Sequence, residues 1–377
     1  MMRPLLNALL AVAAACAAGL ALANPLGSPF GGNKDETIVA KDINAAGATV
    51  LEVADDAGYR RAILRRDGRR IELGTFGGRE SVVAGINSSG VAAGSAQTSD
   101  HAWRAYRYTA SGGMRQLDTL GGRSSNASAI NERGDIVGHS DTYDGSFHAF
   151  IDTGITLLDL GTLGGKNSYA TAVNANGEVV GAAEAAGGWR RAFIYKPGIG
   201  MIALPGTGER HSVATGINDN GSVVGAMQMP DRRWHAFLHD GYRTIDLGAM
   251  IGAGASSFAT AINNRGDIYG NVRTLDSASP KAFGYSKGIM QVRDNFARLD
   301  LAHRISDDGE VITAADISRR LQTAHLARAK AEGRDGMTRS DMLSCAFLAL
   351  LAAFGLYKIR RHLRESMHFG MRLFSMA

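Results

Sequence analysis

The chain has only two cysteines in 377 residues, Cys16 and Cys345, and both fall inside apolar terminal segments. The long stretch between them has none, so disulfides cannot hold it together, although an oxidising compartment would permit them. A core of about 300 residues does not need them. Helical periodicity is missing from the central region; helical repeats would be Leu-rich and Gly-poor, whereas this chain carries 48 glycines. The formal charge is only +5, part of it in the C-terminal tail, and no Lys/Arg stripe with interleaved aromatics stands out. No nucleic-acid partner is therefore expected. Catalytic signatures are absent as well: there is no GxSxG, HExxH, P-loop or dinucleotide fingerprint, and the ten histidines are scattered. No catalytic, cofactor-binding or metal-binding residue is assigned, and no cofactor is expected.

What the chain does contain is repetition. The phrase INxxG, or a near variant, begins at Ile43, Ile86, Ile130, Val173, Ile217, Ile262 and Ile305, in steps of 43, 44, 43, 44, 45 and 43 residues. A small residue followed by an aromatic one trails it at Ala105-Tyr106, Ala149-Phe150, Ala192-Phe193, Ala236-Phe237 and Ala282-Phe283. A fixed period of this size means one supersecondary unit stacked on copies of itself. Within the unit near Ser168, the runs SYATAVN, GEVVGAAE, RRAFIYK and GMIALP are strand-length, and turn residues separate them. In INxxG the Asn starts a tight turn by bonding its own backbone, and the Gly takes the left-handed position that a side chain would oppose. A third phrase, LGTFGG from Leu73, LDTLGG from Leu117 and LGTLGG from Leu160, closes each unit, and its glycine pair suits a sharp crossing to the next. Positions five, three and one before the Ile or Val are mostly small (Ser168, Ala170 and Ala172, for example), as an innermost strand near an axis requires. The sequence predicts an all-β, seven-bladed β-propeller of four-stranded blades; the rival, an open β-solenoid, usually has shorter coils.

The repeats resemble the bacterial extracellular repeat proteins of the HAF family, named for the tripeptide seen here at His148-Ala149-Phe150 and His235-Ala236-Phe237. The resemblance covers roughly residues 37 to 328, with the tripeptide, the LGTLGG phrase and the INxxG turn in register. It implies a secreted or surface-exposed protein and no common enzymatic activity. Arg191, Lys281 and Thr323 depart from the tripeptide, and the second unit reads Arg104-Ala105-Tyr106, which weighs against a His-based metal or catalytic role.

The ends carry addresses rather than blades. Residues 1–23, MMRPLLNALLAVAAACAAGLALA, read as a secretory signal peptide cleaved after Ala23, with a lipoprotein reading through Cys16 the weaker option. Residues 24–330 form the predicted propeller, 331–341 a linker, 342–359 a transmembrane helix and 360–377 a basic cytoplasmic tail. The apolar run from Met342 to Tyr357 spans roughly 24 Å as a helix, a little short of a hydrocarbon core of ~30 Å, and Lys358 and Arg360 can snorkel to close the gap. The basic flank favours a cytoplasmic C-terminus, hence a periplasmic or extracellular propeller in a bacterial cell envelope. Two further expectations concern closure of the ring. Asn24 to Phe30 is predicted to supply the outer strand of the seventh blade, and Asp42, Asp300 and Arg304 to form a polar seam where the ends meet.

All three tryptophans, Trp103, Trp189 and Trp234, lie two or three residues before the Ala of a third strand, and Phe147 takes the same place in its own unit. These four are the candidate ligand-binding residues, an aromatic rim for a sugar or peptide of an unidentified glycan or protein partner; the alternative is packing between blades. The Arg-Gly-Asp tripeptides at Arg133 and Arg265 are INxxG turns followed by an acid. The leading expectation is a non-enzymatic, membrane-anchored binding or assembly module. A polysaccharide-cleaving propeller enzyme would need carboxylates converging at the axis, and a purely structural envelope protein is the third option.

Overall fold

The computed structural model describes residues 37–313 except 55–56, 253, 275–280, 294–301 and 309–310. The chain divides into two compact units, and the described residues from Ile38 onward belong to the larger one. The signal peptide, the outer strand expected from Asn24 to Phe30, the linker, the apolar run at 342–359 and the tail all lie outside the described residues, as does Asp300 of the expected seam. Among the described residues no helix is long and apolar enough to cross a membrane.

Six consecutive four-stranded antiparallel sheets follow one another along the chain, each with its strands in sequence order, and a two-stranded sheet, Ala302–Ile305 with Val311–Thr313, stands at the seventh repeat. This is the arrangement of propeller blades, one four-stranded sheet to each of the first six repeats. The fourth blade is representative: Gly164–Val173, Val179–Ala185, Arg190–Lys196 and Gly200–Ala203. Three of these strands match the runs read from the sequence closely. The first starts four residues earlier than Ser168, because the glycine pair of LGTLGG opens the strand rather than ending at a crossing. Gly164 sits at φ +95°, and a Cβ on Gly165 would lie 2.5 Å from that of Glu184. First strands of successive blades lie against one another from the second blade to the sixth, and the third strands of the first five blades abut the first strand of the next.

Two side-chain rules carry the fold within a blade. The aromatic of the third strand is fully buried and sits opposite a second-strand glycine: Tyr106 opposite Gly94, Phe150 opposite Gly138, Phe193 opposite Gly181, Phe237 opposite Gly225 and Phe283 opposite Gly270. A Cβ on Gly225 would fall 2.0 Å from the Val213 carbonyl oxygen and 2.9 Å from Phe237 Cε1. In the first blade Leu51 replaces the glycine, and its partner is the smaller Ile63. Opposite each of these glycines the first strand slips register by one residue, a β-bulge that brings its carbonyl close.

Between blades, the INxxG asparagine has two tasks, of which the sequence reading found one. Its Oδ1 accepts the backbone N–H four residues on, as from Ala48 to Asn44 (2.9 Å), Val91 to Asn87 (3.0 Å) and Ser222 to Asn218 (2.9 Å), and the glycines stand at positive φ, as expected. Its Nδ2 donates to the backbone carbonyl of the equivalent residue in the next blade. The rungs run Asn44 to Asn87 (2.9 Å), Asn87 to Asn131 (3.3 Å), Asn131 to Asn174 (2.9 Å), Asn174 to Asn218 (3.1 Å), Asn218 to Asn263 (2.9 Å) and Asn263 to Ser306 (2.8 Å). An unbroken amide ladder thus ties seven repeats together along one face. The serines read as small axial spacers have a second role too. Ser81, Ser125, Ser168, Ser212 and Ser257 are buried, and each Oγ accepts the N–H of the third-strand alanine of the preceding blade at 2.8–3.0 Å. Asp42 accepts from Ile43 (2.8 Å) and from Ile86 of the second blade (3.0 Å).

Candidate functional site

Strands that alternate in direction put the second-to-third hairpins and the blade crossings on one face, opposite the asparagine ladder. Fourth strands here have three to five residues and third strands six or seven, so the start of each third strand has no partner on its outer side. Its exposed N–H groups would be orphaned without a substitute. The next blade supplies one: besides the serine just described, the preceding residue accepts from the strand's first N–H. The acceptors are Glu80 for Arg60 (3.4 Å), Ser124 for Trp103 (3.4 Å), Asn167 for Phe147 (3.2 Å), His211 Nδ1 for Arg190 (3.2 Å) and Ser256 for Trp234 (3.3 Å). Five different junctions meet one backbone need with four side-chain types.

The candidate aromatics all stand at these junctions, but not as a uniform rim. Trp103, Phe147 and Trp234 open third strands and are half-buried, whereas Trp189 precedes its strand and is 40% exposed. Trp234 stacks on Phe258 of the next blade, with centroids 5.9 Å apart and planes at 29°, which is packing across a junction. Phe147 meets His139 of its own blade edge-on at 5.7 Å, and Trp189 meets His211 of the next blade edge-on at 5.1 Å. Two aromatics on this face were missed. Tyr59 is three residues before Ala62, the offset of Trp189, and Arg79 of the next blade lies over its ring at 5.2 Å; that shared offset could have revealed it. Tyr143, 94% exposed at a hairpin tip, has no counterpart in other repeats and left no such signal.

Burial holds the His139 and His211 imidazoles below their ordinary pKa, with Arg190 adding to the effect at His211. Accepting a backbone N–H at Nδ1 requires His211 to be unprotonated there, so geometry and electrostatics agree. Both HAF histidines bond a fourth-strand carboxylate of their own blade, His148 Nδ1 to Asp159 at 2.9 Å and His235 Nδ1 to Asp246 at 2.9 Å. The hairpins carry Asp100, Asp144 and Asp231, whose pKa values are lowered chiefly by hydrogen bonds from Thr98, Ser146 and Arg233 respectively. Among the described residues no group of three His, Cys, Asp or Glu is placed to hold a metal ion. The Arg-Gly-Asp sequences close on themselves, Arg133 pairing with Asp135 at 2.6 Å and Arg265 with Asp267 at 3.0 Å, as expected of turns.

No family model and no curated protein matches the chain. Among solved structures, TolB from Acinetobacter baumannii superposes with a TM-score of 0.40 at 17% identity over 56% of this chain and 54% of its own, so the chain spans about half of that protein. AofleA from Arthrobotrys oligospora gives 0.38 at 8% identity, covering 68% of this chain and 85% of the other. The lectin of Aleuria aurantia, a six-bladed β-propeller that recognises fucose, gives 0.33 at 12%, covering 71% and 97%. Likenesses this distant leave the ligand of the present chain open.

Proposed function

We propose that the chain is an exported, membrane-anchored, closed seven-bladed propeller that binds a glycan on its crossing face and does no chemistry on it. The observation that carries this reading is the recurrence of an aromatic side chain at five successive junctions, Tyr59, Trp103, Phe147, Trp189 and Trp234. Aromatic faces pack against the apolar faces of sugar rings while polar neighbours orient them. Export and anchoring are supported by the signal-like residues 1–23 and the uncharged run before Lys358, and seven blades by the seven INxxG phrases. The second reading, a polysaccharide-cleaving enzyme, is disfavoured by the small neutral residues that face neighbouring first strands, such as Ala214, Gly216, Ala259 and Ala261.

Two experiments test the proposal. Purified full-length chain run against a glycan panel and envelope extract should retain a glycan without cleaving it; retention of none, or release of shortened products, would overturn it. A cytoplasmic reporter fused after Arg361 should be active and an export-dependent one silent, and the reverse would reject the topology.

A further inference from the structure

Hairpins of blades two to five share one backbone geometry. The first residue donates to the carbonyl four positions on, and the fourth residue has positive φ: His101, Gly145, Gly188 and Arg232. The third position is then structurally equivalent throughout, and it reads Asp100, Asp144, Gly187 and Asp231. The fourth blade alone of these has no hairpin carboxylate. Pairing of the third and fourth strands gives a second equivalence: Phe150 faces Asp159, Phe237 faces Asp246, and Phe193 faces Ala203. Two residues before these phenylalanines stand His148, His235 and Arg191 respectively. Blade four therefore loses two carboxylates and gains a guanidinium at three positions that its neighbours on both sides fill identically.

The consequence is visible in the contacts. Where His148 and His235 hold their aspartates, the Arg191 side chain forms no hydrogen bond or ion pair with the described residues, and its Nε is buried without a partner. Arg210, exposed two residues before the first strand of the fifth blade, likewise has no side-chain partner among them. At the same junction Trp189 lies 3.5 Å from where a Cβ of Gly187 would be, and meets the His211 ring at 5.1 Å. The junction's carboxylates are Glu184, held near Arg190 at 3.8 Å, and the exposed Glu209. Blade two also has an arginine, Arg104, where its fourth strand offers no acid, but Asp100 remains there and takes Arg123 at 3.4 Å.

We infer that the junction of blades four and five is a subsite for an acidic sugar, with Trp189 against the pyranose ring and Arg191 and Arg210 receiving its carboxylate. The inference rests on the glycan-binding reading and narrows it to one junction and one ligand class. An isolated guanidinium gains most from a carboxylate that fits its two-pronged donor geometry, and a half-exposed indole beside it supplies the sugar face.

The test uses the full-length chain and three probes: polygalacturonate, the same polymer reduced to its neutral form, and oligo(dT). Polygalacturonate should bind, quench Trp fluorescence and be weakened by salt, and the reduced polymer should bind about four- to 25-fold more weakly, since two ion pairs at an exposed junction each contribute a factor of about two to five and act together. Ala203→Asp and Gly187→Asp restore residue types that neighbouring blades carry at the same positions, so the fold should persist, which circular dichroism checks, while polygalacturonate binding falls by about the same factor. Equal binding of both polymers, or unchanged affinity in both variants, overturns the acidic subsite and leaves the glycan reading standing. Tighter binding of oligo(dT) than of polygalacturonate overturns the subsite too. Failure of every glycan in the panel removes the function proposed above as well.

Discussion

Asn218→Asp separates the two tasks of the ladder asparagine. In the native chain Oδ1 accepts from Ser222 (2.9 Å) and Asn220 (3.2 Å), while Nδ2 donates to the Asn263 carbonyl of the next blade (2.9 Å), and the residue is 4% exposed. Aspartate keeps the acceptor and starts such turns as well as asparagine does. It has no donor, so the rung is replaced by two oxygens facing each other in a buried site. Losing one hydrogen bond costs about 0.5–1.5 kcal/mol, and a buried polar group left facing the wrong partner about 1–3 kcal/mol. The Asn263 carbonyl still accepts from Gly266 at 3.0 Å, which holds the total to about 1–3 kcal/mol. Asn218→Ser, with the residue type found at position 306, loses the rung without adding charge and should fall in the same range, whereas Asn218→Ala also loses the turn bonds and should cost about 2–4 kcal/mol. Urea denaturation of the full-length chain and its three variants measures this directly. If Asn218→Asp and Asn218→Ser both stay within about 0.5 kcal/mol of the native chain, the asparagine is a turn residue only and the rungs contribute nothing.

Gly225→Ala should be among the most damaging single-methyl changes, because its Cβ meets the Val213 carbonyl at 2.0 Å and the Phe237 ring at 2.9 Å; an overpacking loss of about 1–3 kcal/mol or more is expected by thermal melting, and an unchanged melting temperature would refute the glycine–aromatic pairing. Ser212→Ala leaves the buried Ala192 N–H without its 2.9 Å acceptor and should cost about 1–3 kcal/mol, whereas the exposed Ser111→Ala should be neutral; equal effects would argue against the serine clamp. His139, His211 and His239 all have lowered pKa values, burial being the main cause. A histidine whose folded pKa is depressed stabilises the fold above its unfolded value of 6.5, and that stability is lost as pH falls below it. Unfolding free energy should therefore decline between about pH 6.5 and 5, before carboxylate protonation contributes, and replacing the three with Gln should flatten the decline.

How much of this was legible in the sequence follows from the range of each interaction. The turn role of INxxG was legible, since Asn and Gly act within four residues and the sequence displays both. Strand content was legible for the same reason: alternation and turn residues are local. The glycine pair was misplaced because its meaning is a close pass over Glu184, which nothing near Gly165 announces. The serines were noticed and assigned to steric economy, whereas their Oγ atoms answer N–H groups about twenty residues earlier, left open by short fourth strands. Tyr59 carried the same offset as Trp189 and was overlooked; His211 and Tyr143 carried no repeat signal.

The sequence by itself determined the period, the four-stranded repeating unit and the turn between its first two strands, because periodicity needs only a comparison of the chain with itself. Tertiary structure alone decided what joins one blade to the next. A rung from Asn218 to Asn263 crosses a junction between residues 45 apart, and only folded strands say that an amide reaches a carbonyl there. It also decided which departures from the repeat matter. Arg191, Ala203 and Gly187 look like unrelated irregularities along the chain; the strand register of Phe193 with Ala203 and the shared hairpin geometry place all three in one blade at positions its neighbours fill with charge of the opposite kind or balance with an acid. Electrostatic meaning arises from proximity, and proximity across a sheet is set by register, which the sequence does not print.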